Sequence, residues 1–433
     1  MFACSWSTLC LNVPSPNESQ LKILRRKVLL TALALLGPEF IFQIARSQHQ
    51  CAARSVKLFK QIGHPEWTKT HGFYAEMGGF RLKAKDSQKP FPINAMQLHH
   101  LVANKYVEMP MITKEDIKDK NKVDAMLRFL TIGQCLWFLM STLARLKLKL
   151  AITTGELTTV AFILCSLPTN LCWISKPADV KSSEIIETSK TIEELWDENN
   201  VDRAETAYYF TPLDYVDRAE REWAWSIYWS NWVNILRNMH IHIVHRARPI
   251  YRFQNTRVSK LSTRSYSDFL IVTIGYSVIF VLAWDYDFPT HIEQILWRIS
   301  SCVVVGCAFA FWAIGWFAWT LYPKLEIRAY LQDRKWGRKF LSIYELDVDE
   351  FDHPTLFRFQ QIVQRVANCI RNNSFNDDPA MHVPLRAILP IYVTGVLYCF
   401  SRAYIFLEDI IQLRSLPADI FSSLEWFDSA PHI

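Results

Sequence analysis

The first feature of this sequence able to do chemistry is a glutamate beside a proline inside an apolar stretch. Glu39 follows Gly37-Pro38 within the run Val28–Ala45. A charge in hydrocarbon is costly, so such a carboxylate faces other protein, takes a partner or holds a proton. Pro38 has no amide hydrogen for the Ala34 carbonyl and loosens the helix there. Gln43, Arg46 and Gln50 continue a polar stripe at steps of four, three and four. Near the other end of the chain Thr394, Tyr398 and Arg402 are four apart, as are Tyr404 and Glu408, so each set shares a helical face. Glu39 as general acid, with Tyr398 and Arg402 as polar partners, could protonate an apolar substrate. Alternatively, Arg402 or Arg128 holds the carboxylate ionised, and the set fixes helix packing.

Other constellations are weaker. Asp285 and Asp287, in Trp284-Asp285-Tyr286-Asp287-Phe288-Pro289, could hold a divalent metal carrying a diphosphate, or could simply end a helix at the membrane interface. The spacing of His240, His242 and His245 does not bring all three to one helix face for zinc. The ten cysteines contain no C-x-x-C pair, and six lie in apolar runs, where they read as soft packing residues. None of the 12 glycines forms a phosphate loop or a dinucleotide fingerprint, so neither an ATP-driven pump nor a Rossmann oxidoreductase is supported, and no cofactor is expected.

The elements that must position these residues are long apolar helices. Of 433 residues half are apolar, 14% aromatic and 21% charged, with a net charge of +6. Disorder and nucleic-acid binding are excluded by that balance. The apolar residues gather in six runs: Val28–Ala45, Leu127–Ala144, Leu157–Ile174, Phe269–Trp284, Ile299–Tyr322 and Ala387–Leu407. Each approaches the roughly 17–25 residues that cross a bilayer as a helix. Thr153-x-x-Glu156 and Thr113-x-x-Asp116 are capping boxes that predict helix starts. The sequence predicts an all-α polytopic bundle forming one membrane domain over residues 1–433. Its loops are a long one with a polar helix over 46–126, an acidic exterior one over 175–222 and an interior one over 323–386.

Loop charge orients the chain, because short cytoplasmic loops are rich in Lys and Arg. Lys22 and Arg25–Lys27 predict a cytoplasmic N-terminus, with the first run as a signal anchor. Arg145, Lys147 and Lys149 place the next short loop inside. Residues 175–222 carry 6 basic and 13 acidic side chains, and residues 245–268 carry 6 basic and one acidic. Those segments then fall on opposite sides, which requires a seventh crossing over the Trp-rich Trp223–Val244. Seven spans leave the C-terminus outside, in an endomembrane or the plasma membrane. The sequons at Asn17 and Asn372 fall on the cytoplasmic side in this scheme.

The stretch Trp67-Thr68-Lys69-Thr70-His71-Gly72-Phe73-Tyr74-Ala75-Glu76-Met77-Gly78-Gly79-Phe80 resembles the signature of a large, mostly uncharacterised family of fungal multi-spanning membrane proteins. The likeness extends through Gly37-Pro38-Glu39, Ile112–Glu115, Trp173, Lys176-Pro177, Asp179-Val180, the Trp284–Arg298 segment and Pro431-His432-Ile433. Only at the level of class is there a similarity to fungal membrane-bound terpenoid cyclases of secondary metabolism, in which an intramembrane acid protonates a lipophilic substrate. Three readings follow. The first is a membrane-embedded enzyme on a lipophilic small molecule, using Glu39, Tyr398 and Arg402. The second is a transporter or channel lined by Glu39 and Arg402. The third is a scaffold or receptor whose His71–Phe80 segment is a packed cap.

Overall fold

A computed structural model describes residues 6, 8–120, 125–201, 208, 210–217, 249–259, 261–286, 288–317 and 385–415. In chain order the main elements are α1 (Gln20–Leu36), α2 (Pro38–Gln61), α3 (Lys69–Glu76), β1 (Phe80–Lys83), β2 (Phe91–Ile93), α4 (Ala95–Ala103) and α5 (Lys114–Asp119). They continue with α6 (Ala125–Lys147), α7 (Thr154–Cys172), β3 (Glu184–Glu187), α8 (Ile192–Glu198), α9 (Thr263–Ile279), α10 (His291–Trp316) and α11 (Leu385–Ile411). Two compact units divide the chain: residues 1–221, 247–305 and 398–433, and residues 222–246 and 306–397. In the second, Cys307 and Thr394 meet through a thiol to carbonyl contact of 3.5 Å. Everything below concerns the first.

Five helical stretches are long and apolar enough to cross a bilayer: Phe129–Lys147, Thr154–Cys172, Thr263–Ala283, His291–Ile314 and Pro390–Arg414. They match five of the six expected runs, and α5 and α7 open with the expected capping boxes at Thr113 and Thr153. Phe129, Met140, Ile271, Leu282, Phe400 and Leu407 are exposed on these helices. An apolar surface of this extent needs hydrocarbon or protein against it. The first run differs from a straight anchor: α1 and α2 meet at a bend of 113° at Gly37.

Between and beside the spans lies a globular body with its own core, and it contains the departure from an all-α chain. Strand β1 is central in a three-stranded sheet of order β2-β1-β3. It runs antiparallel to β2, with Phe80 opposite Ile93, and parallel to β3, with Phe80 opposite Glu184. Strands of three or four residues flanked by helices leave no alternating pattern long enough to be legible in sequence. Around the sheet, Phe59, Trp67, Tyr74, Leu98, Ile117, Leu195 and Leu213 are buried in one cluster.

The segments that make this body are distant in sequence. The Val13 amide donates to the Met77 carbonyl at 3.0 Å, Arg81 donates to Pro14 at 3.0 Å, and Asn12 bonds to Gln254 and Asn255 at 2.9 and 2.8 Å. Arg257 pairs with Asp217 at 3.5 Å. Loop charge would separate 8–18 and 249–259 from 62–119 and 175–217; here all four pack together. Trp223–Val244 and residues 323–384 lie outside the described residues.

The stretch from Trp67 to Phe80 contributes Trp67, Tyr74, Ala75, Met77 and Phe80 to the body's core. Trp67 stacks on Phe59 at 4.1 Å and its indole N–H donates to Ser55 at 3.0 Å. The Tyr74 hydroxyl donates to Ser182 at 3.0 Å. Gly78 sits at φ +82°, a left-handed turn that costs a side chain energy, and lets the chain pass from α3 into β1. His71 caps α3: its Nδ1 accepts from the Thr68 amide at 3.1 Å and faces the Thr68 hydroxyl at 2.8 Å, while Nε2 donates to the Ile112 carbonyl at 3.0 Å.

Burial lowers the pKa of His71, and of His99 and His100 in the same body, below the ordinary 6.5. The fold therefore favours their neutral forms. Stability is fully present above about 6.5 and declines as pH falls toward the folded-state values, because only the unfolded chain takes up the protons. The unfolding midpoint of the body should drop between pH of about 7.5 and 5.5, and His71→Gln should flatten part of that slope; a midpoint unchanged over this range contradicts the assignment.

Candidate functional site

The α1–α2 break creates the site. Gly37 and Pro38 interrupt the ladder, so the last carbonyls of α1 have no partner within the helix, as at any helix end. In apolar surroundings each such group costs free energy until another donor reaches it. The Gly37 amide still bonds back to Leu33 at 2.9 Å. For Leu36 the donor comes from α11: Arg402 Nε–H reaches its carbonyl at 3.0 Å, and the Tyr398 hydroxyl, whose proton goes to Glu39, lies 3.4 Å away. A Cβ on Gly37 would fall 2.6 Å from the Phe40 ring and 3.1 Å from that hydroxyl, so glycine is what lets the two elements approach.

Glu39 is the second residue of α2, where the partial positive charge of a 24-residue helix favours a carboxylate. It is 2% exposed. Tyr398 donates to its Oε1 in a short hydrogen bond, and Oε2 has no hydrogen-bond partner among the described residues. The Arg402 guanidinium interacts electrostatically with this carboxylate. It is 1% exposed and is enclosed by rings, with Phe280 at 4.6 Å, Tyr276 at 5.2 Å and Phe162 at 5.8 Å from Cζ to centroid. Ring faces attract a desolvated cation by roughly 0.5–2 kcal/mol each, so the rings and the Leu36 carbonyl together replace much of its lost hydration.

The fit is incomplete. Among the described residues, both Arg402 Nη atoms, the Gln43 amide and Glu39 Oε2 are buried without partners. Buried polar groups are seldom left so, and enclosed water is their usual partner. A cavity beside Pro38, Ala34, Ile41 and Phe162 has a volume of about 30 Å³. That holds one water, far short of the roughly 300–1,000 Å³ of a small-molecule pocket.

The structure thus brings together Glu39, Tyr398 and Arg402, the three residues singled out by spacing. Tyr404 and Glu408 also meet, at 3.1 Å. The aromatic enclosure was missed: Tyr276 and Phe280 stand four apart in one apolar run, a spacing that could have signalled a shared face, whereas Phe162 comes from α7. Asp285 pairs with Arg298 at 3.4 Å, and Asp287 lies outside the described residues, as do His240, His242 and His245. No group of three His, Cys, Asp or Glu suited to a metal occurs among the described residues.

A protein-family model described as a family of unknown function (DUF8562) matches residues 1–200. No curated protein and no solved structure matches the chain. The matched stretch includes Gly37-Pro38-Glu39 and the whole His71–Phe80 segment, and stops short of Tyr398 and Arg402.

Removing one member of a buried charged set costs about 3–5 kcal/mol, whereas removing both partners costs far less. Arg402→Met should therefore lower thermal stability more than Tyr398→Phe, which deletes one hydrogen bond worth about 1–3 kcal/mol. Glu39→Gln combined with Arg402→Met should recover part of the loss; strictly additive effects in that double-mutant cycle would show that the two do not interact.

Proposed function

We propose that this chain is a multi-pass membrane protein of receptor or scaffold type, in which five crossings and one re-entrant helix pair carry the globular body on the cytoplasmic face. The supporting observation is the assembly of that body from residues 8–18, 62–119, 175–217 and 249–259. Segments of one folded body share a side of the bilayer, so an even number of crossings separates each from the next. Two spans, α6 and α7, lie between 119 and 175. Only the bent α1–α2 pair lies between 18 and 62, and in this reading it enters and returns. Asp217 and Arg257 share the body, so the same rule of even crossings holds between them.

Charge then selects the side. Lys22, Arg25–Lys27 and the six basic residues of 245–268 all fall on the body's face, which marks it as cytoplasmic. The N-terminus keeps the side that loop charge assigns it, while 46–126 and 175–222 move inside and the short loop carrying Arg145, Lys147 and Lys149 moves outside, against its charge. A cysteine introduced for Gln88 should react with a membrane-impermeant maleimide only after permeabilisation, and one introduced for Lys147 should react in intact cells. The reverse pattern, or equal labelling of both, defeats this topology.

In this reading Glu39, Tyr398 and Arg402 clamp the re-entrant pair. One observation favours the enzyme reading, a terpenoid cyclase-like reaction on a lipophilic molecule in fungal secondary metabolism: Glu39 Oε2 is unpartnered among the described residues and could deliver a proton. The small cavity beside Pro38 supports the clamp, since about 30 Å³ holds one water. A transporter or channel draws support from the broken helix. Glu39→Gln separates the three. The clamp predicts lost thermal stability with unchanged lipophilic metabolites in an expressing host; the enzyme predicts lost product with stability kept; the transporter predicts lost flux in proteoliposomes.

A further inference from the structure

The face of α2 beyond the clamp carries a second polar feature. Arg46, His49, Gln50, Arg54 and Lys57 recur at steps of three, one, four and three, which puts them on one side of the helix. That side lines an open groove of about 640 Å³ with the first turn of α9, including Arg264, and the last turn of α7, including Leu171. This size lies within the roughly 300–1,000 Å³ typical of small-ligand sites.

The groove is electrostatically one-sided. Arg46, Arg54, Lys57 and Arg264 line it, and no carboxylate does. Asp268, just outside, is held by Arg46 through contacts of 3.0 and 2.9 Å. Lys57 and Arg264 form no ion pair among the described residues. At the rim His49 sits between the Arg46 guanidinium at 3.4 Å and the Lys69 ammonium at 3.3 Å, which brings a fifth cation close. Like charges at these helical spacings repel. The N-terminus of the 17-residue α9 adds a positive dipole end on the same side. With Arg46 already paired to Asp268, Lys57, Arg264 and the α9 dipole end remain of one sign, and an anion would relieve them together.

The groove also stands at a defined depth. Leu171 is 64% exposed and belongs to the last turn of the apolar stretch Thr154–Cys172, so the lining passes from hydrocarbon-type surface to guanidinium groups within one ligand length. Basic pockets beside spans are suited to anionic lipid headgroups.

We propose that this groove binds a phosphate group, carried by the headgroup of an anionic amphiphile, with Arg54, Lys57 and Arg264 around the phosphate and the chain of the amphiphile along Leu171. The site rests on the reading of Thr154–Cys172 as a span, and is independent of which side that span starts from and of the Glu39 clamp. Guanidinium groups can meet phosphate oxygens in pairs and lysine serves as a point charge.

The test uses the full chain, purified and delipidated in a neutral detergent, and titrated with phosphatidic acid, phosphatidylcholine or inorganic pyrophosphate. Phosphatidic acid should bind at least tenfold more tightly than phosphatidylcholine, and less tightly as salt rises. Lys57→Gln with Arg264→Gln should weaken that binding at least tenfold while leaving the lipid-free unfolding temperature unchanged. Lys147→Gln with Lys149→Gln, at the other end of the spans, should leave binding intact. If pyrophosphate binds in a Lys57- and Arg264-dependent way while phosphatidic acid does not, the phosphate recognition stands and its source is a soluble ligand. Wild-type binding by the groove variant, or no preference for phosphatidic acid together with no binding of pyrophosphate, overturns the proposal. A failed topology would appear only in the maleimide pattern.

Discussion

A helix that breaks in apolar surroundings must find donors for the carbonyls it exposes. Much of this bundle is arranged around meeting that requirement at Leu36. Gly37 and Pro38 make the break, and Arg402 arrives from a helix more than 350 residues later to satisfy it. Bringing a guanidinium to that position creates a second requirement, the replacement of its hydration, which Phe162, Tyr276, Phe280 and the Glu39 carboxylate meet in part. Each residue of the cluster is thus explained by the one before it, starting from a dipeptide that cannot continue a helix.

The same bend bears on the rest of the protein. A straight first helix would carry its C-terminal half away from its N-terminal half. The 113° turn instead lets α2 end with Phe59 in the body's core, while residues 12–14 pack on the same body. Ser55 bonds to Trp67, and Gln48 accepts from both Trp173 and Lys176. One helix therefore supports the buried Glu39–Tyr398–Arg402 cluster at its start, the basic groove along its side and the globular body at its end.

What was legible in the sequence followed from local rules. The five apolar stretches, the capping boxes at Thr113 and Thr153 and the partnership of Glu39 with Tyr398 and Arg402 all rest on hydropathy or on spacing along one helix. What was not legible depended on which distant segments meet. The sheet was hidden because its strands are three or four residues long and β3 lies about a hundred residues from β1. The enclosure of Arg402 was hidden because it needs α7, with Phe162, and the stretch of Tyr276 and Phe280 to meet α11. The meeting of distant loops was hidden for a related reason: loop charge assigns each segment a side alone, and says nothing of contacts such as Asp217 with Arg257 or Val13 with Met77. The basic stripe of α2 was visible as far as Gln50, but its partner Arg264 required the fold.

The parallel pairing of β1 with β3 sets an order of events during synthesis. When Phe80–Lys83 leaves the ribosome it can pair at once with Phe91–Ile93, only eight residues on. Its other edge has no partner until Glu184–Glu187 has been made, and α6 and α7 are translated in between. The last contributors, Gln254, Asn255 and Arg257, come later still. Completion of the body thus reports that the hydrophobic helices before it have been delivered in the right order, and a nascent chain that stalls at insertion keeps a bare strand edge of the kind that chaperones and degradation machinery recognise.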